Sequence, residues 1–134
     1  MNLKRLIFLF HYGTGLMDAI TGLGLIFIPT RTLSMMGVAP RVDVTLVSYI
    51  GIFVFAVGVS HFLAGGFPNN PVTRERWKMI WKISALVRLC VGSFVLVKII
   101  TGQLDTPWIA VTATDLSVAL VFLILLERRA LNSP

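Results

Sequence analysis

Long apolar runs alternate with short polar breaks along the whole of this chain. The runs cover approximately Leu6 to Ile28, Val44 to Gly65, Met79 to Ile100 and Trp108 to Leu126. Each is close to the ~20 residues that a helix needs to cross ~30 Å of hydrocarbon. The pattern predicts four membrane-spanning helices, over 6–28, 44–65, 79–100 and 108–126, and leaves no stretch for a soluble domain. The breaks are short, so consecutive helices are expected to be antiparallel neighbours. The predicted fold is all-α: an integral membrane four-helix bundle, up-down-up-down, forming one domain over residues 1–134.

The breaks carry their own signals. In IPTRT, Pro29 stops the first helix, and the following loop runs through Gly37, Ala39 and Pro40. Leu33, Met35 and Met36 in that loop predict a short helix lying along the membrane surface. GGFPNNPVTRERWK is the strongest breaker, and its end predicts an early start to the third helix with Thr73 as N-cap. Trp77 and Trp81 then fall at the membrane interface, where indoles anchor. In TGQLDTPW, Pro107 suits the first turn of the fourth helix and Trp108 the opposite interface.

Composition agrees with this reading: 56% of the 134 residues are hydrophobic and only 13% charged, too few to clothe a soluble core. The net charge of +6 raises the question of nucleic acid. Its distribution answers no. Lys4 and Arg5, then Arg74, Arg76, Lys78 and Lys82, then Arg128 and Arg129 lie on one side of the predicted membrane, and only Arg31, Arg41 and Lys98 on the other. Such a bias orients both termini toward the cytoplasm and implies a multi-pass protein of the cell (inner) membrane. The first apolar run has no small-residue cleavage site, so it reads as a retained helix rather than a signal peptide. The single cysteine, Cys90, excludes paired-thiol chemistry and reads as a small buried residue.

Three ionisable residues then stand out by depth. At ~1.5 Å per residue, Asp18, Arg88 and Asp115 all lie roughly 15 to 18 Å from the cytoplasmic face. A charge there costs at least ~2.5 kcal/mol when it faces lipid, so each is expected to point inward. Arg88 keeps its proton, which makes it the fixed charge. It is expected to pair with Asp115 across the tight turn, with Asp18 completing the cluster. His11, Gly15, Asp18 and Gly22 share one stripe of the first helix, and Gly51, Gly58 and Gly65 recur every seven residues in the second. Such small residues let helices approach closely. His11 and His61 are expected in a second layer, below the charges, as hydrogen-bonded core residues or as paired ligands of a haem or metal.

Nucleophile motifs are missing: there is no G-x-x-x-x-G-K-[ST], H-E-x-x-H or G-x-S-x-G, and Ser84 or Ser93 beside an arginine makes no dyad. A glycine-rich first helix ending in GLGLIFIP, the small-residue run GIFVFAVGV, the arginine in ALVRLCVG and the aspartate in ATDLSVAL together resemble the DoxX-like group of small four-helix bacterial membrane proteins. That resemblance spans nearly the whole chain. It implies a membrane subunit associated with quinone-linked oxidoreductases, with Arg88 and Asp115 as the shared positions and no catalytic residue to carry over.

Two readings follow. The first is a non-catalytic subunit or binding module of a membrane complex, holding the Asp/Arg/Asp cluster, with the lipid bilayer, a membrane protein or further copies of itself as partners. The alternative is a membrane enzyme or carrier that takes a lipophilic small molecule such as a quinone between its helices. There Asp18, Arg88, Asp115, His11 and His61 are the candidate ligand site. The first reading needs no cofactor; the second calls for a quinone or haem.

Overall fold

The structure is a computed structural model and describes residues 3–38 and 43–128. Ala39, Pro40, Arg41 and Arg129, invoked above, lie outside the described residues, as do both chain termini. The elements are α1 (Leu3–Phe27), α2 (Pro29–Met35), α3 (Val44–Leu63), α4 (Pro71–Ile100) and α5 (Ile109–Glu127), with one 3₁₀ turn (Thr106–Trp108) before α5. No strand occurs among the described residues. Four of the helices are long and apolar enough to cross a membrane. Within their most apolar windows only 17 to 33% of residues are buried, so most of each surface is turned outward, as lipid contact requires.

The chain divides into two compact units, Met1–Phe67 and Pro68–Pro134. In the first, α1 and α3 pack antiparallel. Their glycines set the seam: a Cβ on Gly15 would stand 2.6 Å from His61 Cβ, and one on Gly51 2.8 Å from Leu25 Cβ. Cβ atoms on Gly22 and Gly58 would collide with the backbones of Phe55 and Ala19. The two helices therefore touch backbone to backbone, which only glycine permits. Asp43 caps α3 by accepting from the Thr45 and Leu46 amides at 2.8 and 3.2 Å.

Three expectations for this unit change. The α2 helix forms, but Leu33 is buried within the fold rather than lying on a membrane surface, while Met35 is exposed. Helix α1 stops at Phe27 and already contains Lys4 and Arg5, because hydrogen bonding, not hydropathy, defines its ends. Gly65 is not a seam glycine: α3 ends at Leu63, and Gly65 turns the chain with φ +80°, with nothing near its missing Cβ.

In the second unit α4 and α5 pack as an antiparallel hairpin. Here α4 begins at Pro71, eight residues before the apolar run that predicts it. Asn70, not Thr73, is the N-cap; its side chain accepts from the Thr73 amide at 2.9 Å, and Pro71 sits preorganised behind it. At the far end Gly102, φ +69°, reverses the chain, and the Gly102 and Gln103 amides close on the Ile99 and Lys98 carbonyls. That double closure is the Schellman motif, and it holds α5 against α4. Thr106 to Trp108 forms the 3₁₀ turn, so α5 proper starts one residue after Trp108.

Candidate functional site

Each unit holds its own polar group inside an apolar helix pair. In the first, His11 and His61 are both fully buried and meet directly. His11 Nε2 lies 2.9 Å from the His61 carbonyl oxygen, and the two Nδ1 atoms are 3.2 Å apart. A carbonyl only accepts, so His11 donates from Nε2. With neutral rings its Nδ1 must then be an acceptor, and His61 donates from Nδ1. The hydrogen bonds thus fix both tautomers and leave His61 Nε2 as an acceptor. The two rings bond to each other, with centroids 4.7 Å apart.

Around this dyad lies an aromatic collar that the sequence pattern does not announce. The Tyr12 hydroxyl donates to the Gly65 carbonyl, which ties α1 to the turn after α3. Phe8 stacks on Phe67 at 4.1 Å with planes 6° apart. Tyr12 sits one residue from His11, off the glycine stripe, so a search for one helical face passes over it. Asp18 and Thr14 lie buried further along α1. Asp18 is thus buried, as its depth demands.

In the second unit one face of α4 carries Trp77, Trp81, Ser84, Ala85, Arg88 and Gly92, all buried. The spacing repeats every three or four residues, which is why a single stripe collects them. Arg88 Nη1 donates to Asp115 Oδ1 at 2.6 Å, with the two side chains only 5% and 16% exposed. Gly92 makes this approach feasible, because a Cβ there would meet Leu116 Cδ2 at 2.9 Å. Thr112 adds a long hydrogen bond of 3.5 Å to the Gly92 carbonyl. Below the pair, Trp81 stacks on Phe122 at 5.7 Å and meets Trp77 edge-on at 5.9 Å. Both indoles are fully buried within the helix pair, because they fall on the same stripe as Arg88.

Two further residues of α4 stand out. Ser84 Oγ is buried with no hydrogen-bond partner among the described residues. Cys90, expected inside, is exposed, since two positions after Arg88 is the outward face of α4. Among the described residues no three His, Cys, Asp or Glu side chains gather as a metal-binding group.

Fold and site together define an all-helical protein with four helices suited to a membrane, holding an ion pair in one hairpin and a histidine dyad in the other. No family model, curated protein or solved structure matches the chain.

Proposed function

We propose that this protein is a non-catalytic subunit or binding module of a membrane complex. The Arg88–Asp115 pair carries this reading: a 2.6 Å bond between nearly buried side chains joins the apolar stretches of two helices. Such a pair fixes the rotation of one helix against the other, and among the described residues no nucleophile with a base stands beside it. The outward apolar surfaces of the four spans then meet lipid or a partner's helices. The charge bias supports a location of the basic ends at the cytoplasm, in an inner membrane, which the DoxX-like resemblance would also imply. The second reading, a carrier or enzyme for a lipophilic molecule such as a quinone, draws its support from Ser84, a buried hydroxyl one turn from Arg88 on the same face.

Replacing Arg88 by Met separates the two. Under the structural reading the variant loses stability in detergent, and adding Asp115→Leu restores much of it by removing the orphaned carboxylate. A stable, inserted Arg88→Met protein that has lost quinone binding would instead establish the carrier. Purification in mild detergent supplies the second arm: a clean monomer with no copurifying protein in every detergent tried refutes the subunit role.

A further inference from the structure

The α4 helix is longer than a membrane needs. Its 30 residues extend ~45 Å, about 15 Å more than the hydrocarbon layer. The excess is Pro71 to Ile80, the segment before the continuous apolar stretch. It holds Arg74, Arg76 and Lys78, with Lys82 one turn further, against a single carboxylate, Glu75. Arg74, Lys78 and Lys82 follow one another at i, i+4 and i+8, so they form one row up the helix. Arg76 lies off that row.

The row spans ~12 Å along the helix axis. That length covers the headgroup layer, ~5 to 7 Å on each side of the bilayer, and the edge of the hydrocarbon where Lys82 snorkels outward. Arg74 and Lys82 make no ion pair among the described residues, whereas Lys78 holds Glu75 at 2.7 Å. Arg74 Nε is closed off from water with no acceptor among the described residues, so its stem is packed in place rather than free in solvent. Three cations in one row face a single carboxylate, Glu75, which Lys78 binds and whose charge Lys82 also feels, and the net positive row suits an anion that arrives from the bilayer itself.

We propose that Arg74, Lys78 and Lys82 form a binding site for an anionic phospholipid, its phosphate between Lys78 and Lys82 and any further headgroup charge toward Arg74. The proposal rests on the membrane-spanning reading and on no assumption about partners. It makes the row a lipid-selective contact rather than a diffuse topology signal.

The test uses the full chain in vesicles of equimolar phosphatidylglycerol and phosphatidylcholine. After mild solubilisation, native mass spectrometry reads the ratio of the two lipids retained. The wild-type protein retains phosphatidylglycerol selectively. Lys82→Gln and Arg74→Gln each lower that enrichment about fivefold, the worth of one cation near an anionic surface. Lys82→Arg preserves it, Glu75→Gln raises it by releasing Lys78, and Arg76→Gln, which removes the same charge off the row, leaves it unchanged. Equal loss in Arg76→Gln and Lys82→Gln, or no loss in any variant, overturns the site. Displacement of the lipid by excess inorganic phosphate overturns the lipid as its occupant. Inserted protein without enrichment refutes the lipid site alone, whereas protein that never enters the vesicles refutes the membrane reading with it.

Discussion

Gly58→Ala tests whether α1 and α3 are held by backbone contact. The new methyl would collide with the Ala19 amide, stand 2.7 Å from the Gly15 carbonyl oxygen and 2.9 Å from Ala19 Cα. Carbon needs roughly 3.5 Å, and every obstacle is backbone, so no rotamer change gives relief. The helices must part by about 0.5 to 1 Å, which forfeits a quarter to a half of the attraction of each contact affected. Overpacking of this kind costs about 1–3 kcal/mol, and the rigid obstacle places Gly58 at the upper end. Alanine's better helix propensity returns up to about 1 kcal/mol, leaving a net loss of about 2 kcal/mol. Gly13→Ala is the matched control. Gly13 lies in α1, the other helix of the seam, but nothing stands within 4 Å of its added Cβ. There the propensity gain stands alone, so stability rises by up to about 1 kcal/mol. The two alanines should therefore differ by about 3 kcal/mol, on the order of a hundredfold in the unfolding equilibrium. Reversible unfolding in mixed detergent micelles measures both. Equal tolerance of the two substitutions would refute the close-packed seam.

Further outcomes follow from the two polar groups and from the outward face of α4. Arg88→Met should destabilise by about 3–5 kcal/mol, because Asp115 is left charged among apolar side chains, and the Arg88→Met/Asp115→Leu double variant should recover most of that in the same unfolding assay. His11→Leu removes the donor to the His61 carbonyl and the acceptor for His61 Nδ1, at a cost of about 1–3 kcal/mol; neutral behaviour would remove the dyad as an α1–α3 tie. Phe122→Ala should cost about 3–5 kcal/mol by opening a void beside Trp81, visible as a change in tryptophan emission as well as in stability. Cys90 should resist a charged maleimide in intact vesicles, although it is exposed on the helix, and label after unfolding in strong detergent; prompt labelling in vesicles would place α4 at a different depth.

Much of this architecture is legible from hydropathy, because a spanning helix must be apolar over a length the bilayer dictates. Depth also picks out Arg88 and Asp115, since two lone charges in hydrocarbon have strong reason to meet. Rotation is harder to read. Cys90 is assigned to the interior by habit, and that habit gives way to the three-to-four spacing that puts the indoles of Trp77 and Trp81 inside and the thiol out. The start of α4 is legible to within one turn, with the cap at Asn70 rather than Thr73. Polar residues after Pro71 look like loop on a hydropathy scale, yet the Asn70 cap and the helical hydrogen bonds are indifferent to side-chain polarity. Equal depth likewise brings His11 near His61 without foretelling the bonds that fix their tautomers.

Helix α4 runs unbroken from its Asn70 cap to Ile100, with no proline inside it. Lys78 and Arg88 are ten residues apart on this one rod, ~15 Å along its axis. A helix without a hinge transmits tilt and rotation along its whole length. A force applied to the row of Arg74, Lys78 and Lys82 therefore acts as torque on the Arg88–Asp115 bond, and one end of the helix has a mechanical line to the buried ion pair.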